Sequence, residues 1–219
     1  MAMKKVVIFD LDGTLTNSLA SMKLSGDMAM AKFGMGPYTE DQYKVFVGDG
    51  ARVLVERCLI AGGDTELKNL DAAYEEYCKV FEKYCMYKVE PYDGIRELLS
   101  ALKEKGVKIA VLSNKPHERT KDVIKAVFGE GYFDVVQGQQ DDVPRKPSPI
   151  GVFKILEKLS LTPEDLLYSG DTGTDMQTGK AAGAFTVGAL WGFRTEKELT
   201  ENHADVLIKK PQQLLDYLA

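Results

Sequence analysis

Val6-Val7-Ile8-Phe9-Asp10-Leu11-Asp12-Gly13-Thr14-Leu15 decides how the rest of the chain is read. Four apolar residues run without alternation and stop at an aspartate. A strand with one wet face alternates, whereas a continuous run suits a strand buried on both faces. Two aspartates two apart, straight after such a strand, face one crevice, and Gly13 lets the chain turn sharply. Aspartates in a turn also serve local hydrogen bonds. The motif therefore gains its meaning from what the other strand ends carry.

Comparable runs recur at Val107 to Leu112, Phe133 to Val136, Leu166 to Tyr168 and Phe185 to Val187, with a weaker one at Asp205 to Ile208. Stretches of helical period separate most of them. This alternation predicts an α/β fold, a Rossmann-like parallel sheet with helices on both faces. The stretch 17–88 differs. Tyr74, Tyr77, Phe81 and Tyr84 recur at i, i+3, i+7 and i+10, one face of a helix, and such a stripe is read as packing. Val53, Leu54, Arg57 and Cys58 mark another helix. The expectation is a core domain of 1–16 and 89–219, interrupted by a small helical domain over 17–88. The chain returns near Pro91-Tyr92-Asp93-Gly94, where Pro and Gly break the pattern.

The 219 residues, 44% hydrophobic, suffice for one sizeable core with a smaller companion. A net charge of -5 argues against a nucleic-acid partner, which needs a basic face. An anionic ligand would then require locally placed cations. The first apolar run is too short for a membrane span or a signal core, so a cytoplasmic protein with no membrane partner is expected. Of the three cysteines, Cys78 and Cys85 stand about 10 Å apart along a helix axis, too far for a disulfide. Reduced thiols follow.

Ligands of an open parallel sheet sit outside the carboxyl ends of its strands. There the second run leads into Ser113-Asn114-Lys115, either a phosphate-holding hydroxyl and amide or a helix N-cap before Pro116. Lys146, in Arg145-Lys146-Pro147, is either an ammonium beside a phosphoryl group or a solvated charge. Ser169-Gly170-Asp171-Thr172-Gly173-Thr174-Asp175 adds two aspartates at a strand-to-helix turn. These suit a hard cation such as Mg2+, although Asp175 also suits a helix cap.

Taken together, Asp-x-Asp, Ser, Lys and Asp-x-x-x-Asp in this order resemble the haloacid dehalogenase superfamily over essentially the whole chain. The insert resembles that family's α-helical cap. Val47-Gly48-Asp49-Gly50, Pro91 to Ile95, Ser113 to Pro116, Gly170 to Thr172 and Ala181 to Ala184 bring the likeness closest to phosphoglycolate phosphatases. The resemblance implies an Mg2+-dependent phosphatase acting on a small phosphorylated metabolite, with 2-phosphoglycolate the best guess. It implies Asp10 as nucleophile and Asp12 as acid and then base. Ser113 and Lys146 would hold phosphoryl oxygens, with Gly13, Thr14 and Asn114 also at the substrate. Asp10, the Asp12 carbonyl, Asp171 and Asp175 would hold the metal. Arg52, opening a helix after Gly50, either meets a substrate carboxylate or is solvated. An acid at position 12 favours phosphate esters over haloacids and phosphonates. Asn17 departs from the Asp common among relatives.

Other functions fit the same motifs. A sugar phosphomutase commonly carries a His shortly after the first motif, but His117 and His203 both lie outside the insert. Pyrophosphate or nucleoside monophosphates are alternative substrates. A non-catalytic binding protein would have lost a motif residue, and none is missing. Either a monomer or a homodimer is compatible with the sequence.

Overall fold

The computed structural model describes residues 3–219. The chain divides into two compact units, one formed by the N-terminal stretch to Asn17 with Pro91–Ala219, the other by Ser18–Glu90. It starts with β1 (Val6–Phe9) and the two-residue β2 (Thr16–Asn17). Four helices follow: α1 (Leu19–Ala31), α2 (Glu40–Phe46), α3 (Ala51–Ala61) and α4 (Leu70–Tyr84). After β3 (Glu90–Pro91) and α5 (Ile95–Glu104), strands and helices alternate. They are β4 (Lys108–Pro116), α6 (His117–Phe128), β5 (Val135–Gln139), α7 (Ile150–Leu159), β6 (Leu166–Gly170), α8 (Gly173–Ala181), β7 (Phe185–Ala189), α9 (Glu196–Glu201) and β8 (Val206–Ile208).

The six long strands form one parallel sheet in the order β5-β4-β1-β6-β7-β8. β1 lies between β4 and β6, with Phe9 opposite Val111 on one side and Ser169 on the other. The chain adds β4 and β5 outward from β1, then crosses back to start β6 on the opposite flank. That reversal opens a crevice at the carboxyl ends of β1, β4 and β6. The unbroken apolar runs exist because both sheet faces are covered. Val6, Ile8, Ala110, Leu112, Leu166 and Tyr168 meet Val152, Ile155 and Leu156 of α7. Their strand neighbours Val7, Phe9, Ile109, Val111 and Leu167 are fully buried too.

β4 runs further than its apolar residues. Ser113, Asn114 and Lys115 stay extended and buried, and α6 starts at His117 with Pro116 at its N-cap and no side-chain cap. The N-cap reading of Ser113-Asn114 is thereby corrected. Proline disfavours the helical conformation in the residue before it, so the polar triplet belongs to the strand.

In the helical unit α1 packs on α4, and α3 on both. Tyr77 and Phe81 stack at 5.4 Å and are buried, while Tyr74 and Tyr84 are half-buried, so the aromatic stripe is packing. Arg57 staples the turn after α2. Its guanidinium donates to the carbonyls of Val45 and Phe46 and to Asp49. The cysteines are free. No helix among the described residues is long and apolar enough to cross a membrane.

Ile155 is fully buried under the sheet. Ile155→Ala is expected to cost about 2–5 kcal/mol in urea unfolding. A loss below about 1 kcal/mol would show that the α7 face is not close-packed core.

Candidate active site

Asp10 continues the line of β1, its N–H donating to the Ser169 carbonyl at 2.9 Å. This contact fixes the carboxylate at the crevice between β1 and β6. Lys146 reaches it from the segment between β5 and α7. The ammonium donates to Asp10 Oδ1 and Asp175 Oδ1, both at 2.7 Å. The lysine is itself positioned by Asn114. That side chain accepts from the Lys146 N–H at 2.9 Å and donates to the Lys146 carbonyl at 3.3 Å.

Asp171 and Asp175 flank the turn from β6 into α8. Thr172 caps α8, and Asp175 is the reciprocal member of its capping box. Asp175 is therefore both a capping residue and a member of the acidic group. Its Oδ2 is on Thr172 and its Oδ1 on Lys146. Asp171 accepts from the Thr14 hydroxyl and from the Phe193 N–H, both at 2.8 Å. The loop at Gly13 passes over that carboxylate with φ +97°, and a Cβ there would collide with it. A Cβ at Gly192 would do the same. Only glycine permits this approach from both sides.

Carboxylate oxygens of Asp10, Asp171 and Asp175 lie within 4.8 Å of one another, all buried. Burial, together with the neighbouring Asp175 and Asp171 charges, raises Asp10 well above the ordinary carboxylate range against the pull of Lys146. Burial and Asp175 push Asp171 up to about 7. Burial alone would push Lys146 down, but the Asp10 and Asp175 charges outweigh it and hold the ammonium charged. One ammonium against three carboxylates leaves negative charge in excess. An oxygen-only donor set of that charge fits a hard divalent cation.

The sequence-expected residues divide by position. Asp10, Lys146, Asp171 and Asp175 come together directly. Ser113 is buried at the end of β4, its Oγ accepting from the Lys115 N–H at 3.1 Å. Three residues expected at the substrate make contacts within the protein. Gly13 and Thr14 serve Asp171, and Asn114 has its amide on the Lys146 backbone. Arg52 belongs to the helical unit, where it donates to Asp71 at 2.6 Å and lies over the Tyr74 ring. Asp12 stands outside the group of three carboxylates, both its oxygens 2.8 Å from Lys115 Nζ. Lys115 had not been singled out, although a basic residue beside Ser113 was a usable signal. The Phe193 N–H was out of reach, because a backbone donor leaves no mark on residue type.

The fold and this acidic site define a class. A model of the haloacid dehalogenase-like hydrolases matches residues 7–189, and the chain belongs to that family. Among relatives, it is 36% identical to the phosphoglycolate phosphatase of Aquifex aeolicus (strain VF5) over 215 residues, covering 96% of this chain and 95% of the other. It is 32% identical to the phosphoglycolate phosphatase of Haemophilus influenzae (strain ATCC 51907 / DSM 11121 / KW20 / Rd) over 221 residues, covering 98% of each. A solved haloacid dehalogenase-like family hydrolase from Streptococcus pneumoniae superposes with a TM-score of 0.89 over 100% of both chains at 22% identity, a likeness of fold.

The raised carboxyl of Asp171 has a linkage consequence. Its contribution to stability is complete below 3.8 and is lost as pH rises through about 7. A divalent cation competes with those protons. Any rise in Tm on adding a divalent cation such as Mg2+ is therefore expected to grow with pH between 3.8 and about 7. An increment unchanged across that window in thermal unfolding would contradict the coupling.

Proposed function

We propose that this chain is an Mg2+-dependent phosphatase that hydrolyses a small phosphorylated metabolite through a phosphoryl group carried on Asp10. The observation that carries the reading is the buried Lys146 bridge between Asp10 and Asp175 beside Asp171. It keeps a carboxylate nucleophile in place at a strand end, with cationic help within reach.

Asp10 attacks phosphorus in line with the departing alcohol oxygen. The Lys146 ammonium, 2.7 Å from Asp10, would stabilise a phosphoryl oxygen arriving at that carboxylate. Ser113 offers a hydroxyl at the next strand end. Asp12 gives a proton to the leaving oxygen and then takes one from the water that cleaves the Asp10–phosphate bond. Asp10, Asp171 and Asp175, with the Asp12 carbonyl, are the groups that would hold Mg2+. When bound, the ion offsets repulsion between an anionic nucleophile and an anionic phosphate.

The name shared by full-length relatives at 30% identity and above supports 2-phosphoglycolate as the substrate. Arg52 is the candidate to meet its carboxylate. Phosphate release from a panel of small phosphate esters, with and without Mg2+, tests the assignment. Mg2+-dependent preference for 2-phosphoglycolate is expected, and no release from any ester would overturn the phosphatase reading. Asp10→Asn keeps the volume and removes the charge, and should lower kcat at least ~10³-fold. Turnover near wild type would contradict the covalent route. Arg52→Ala should raise KM for 2-phosphoglycolate and leave KM for 4-nitrophenyl phosphate unchanged. Equal effects on both esters would remove Arg52 from carboxylate recognition.

A further inference from the structure

Two lysines divide three of the four aspartates between them. Lys146 takes Asp10 and Asp175, and Lys115 takes Asp12, while Asp171 rests on the neutral donors of Thr14 and Phe193. The Lys115 side chain is buried as deeply as that of Lys146, each being 3% exposed. A buried ammonium is tolerated only when paired. Its main chain is pinned on both sides. The Lys115 N–H donates to Ser113 Oγ at 3.1 Å, and its carbonyl accepts from Thr120 Oγ1 at 3.1 Å. Gly138 of the neighbouring strand comes so close that a Cβ would meet that carbonyl. So fixed a backbone gives the side chain a defined reach.

We infer that Lys115 is a positioning residue that fixes the Asp12 carboxylate for the water-activating half of the reaction. The inference rests on the proposed function and assigns a residue that the phosphoglycolate phosphatase reading leaves idle. Contact with both oxygens immobilises the Asp12 side-chain torsions. Each oxygen keeps a second lone pair that can accept from water. So oriented, an Asp12 oxygen can accept the proton of the attacking water. In that step the water oxygen forms a bond to phosphorus as the Asp10 oxygen–phosphorus bond breaks. The electron pair returns to Asp10, the water proton goes to Asp12, and hydrogen phosphate leaves. In the next turnover Asp12 returns that proton to the departing alcohol. Donation needs one oxygen turned to the leaving group, so Lys115 favours the second half over the first.

The test separates the halves with 4-nitrophenyl phosphate, whose leaving group departs without a proton. In rapid-mixing experiments the burst of nitrophenolate reports phosphorylation of Asp10, and the steady rate reports its hydrolysis. Lys115→Met should slow the steady rate about 10²-fold, the scale of a misplaced catalytic group, while the burst rate changes far less. Protein-bound phosphate released by hydroxylamine should accumulate accordingly. In an Asp12→Asn background, where no unpaired carboxylate is left behind, adding Lys115→Met should cost less than about threefold, because the two residues act as one unit. A full additional loss in that background, or equal slowing of both phases, would reduce Lys115 to a structural role and overturn the inference. Wild-type enzyme that forms no hydroxylamine-sensitive label would instead overturn the covalent reading itself, and the Lys115 assignment with it.

Discussion

The site depends on one buried ion bridge, the Lys146 ammonium held between Asp10 and Asp175 at 2.7 Å from each. Like-charged carboxylates within 4.8 Å repel, and burial strengthens the repulsion. Removing one partner of such a buried pair typically costs about 3–5 kcal/mol, because a desolvated charge is left alone. Asn114 holds the lysine's backbone, Thr172 holds Asp175, and the β6 carbonyl of Ser169 holds Asp10. The supporting contacts come from the ends of β4 and β6 and act on a carboxylate at the end of β1, so the bridge can form only after the parallel sheet has brought these three ends together.

The sheet order explains the location. β1 is flanked on both sides, and the connection reverses direction beside it. Three carboxyl ends therefore open into one crevice. The glycines follow from the crowding. Gly13 and Gly192 close on Asp171, and Gly170 is packed against Asp175, where a Cβ would overlap the carboxylate. Small residues around a charge cluster exclude water, and the exclusion raises Asp10 and Asp171 above the usual carboxylate range.

Much of this was legible in the residues. The unbroken apolar runs gave away a doubly covered parallel sheet, and the polar residues at their ends gave the four acids and Lys146. What was hidden has physical reasons. β4 extends through Ser113, Asn114 and Lys115 because its end lines a polar crevice, so hydrophobicity stops before the strand does. The contacts of Thr14 with Asp171 and of Asn114 with the Lys146 backbone join residues far apart in the chain, so residue type alone does not show them. The partner of Lys115 lies 103 residues away, a contact that no local pattern encodes.

The central claim is that Asp10 carries the phosphoryl group during turnover. Acid quenching of working enzyme, followed by borohydride reduction and peptide mass spectrometry, reads it directly, because an acyl phosphate is reduced to the alcohol. The account predicts the reduced side chain at position 10. Unmodified Asp10 in enzyme quenched during turnover, or reduction at Asp12 instead, would contradict it.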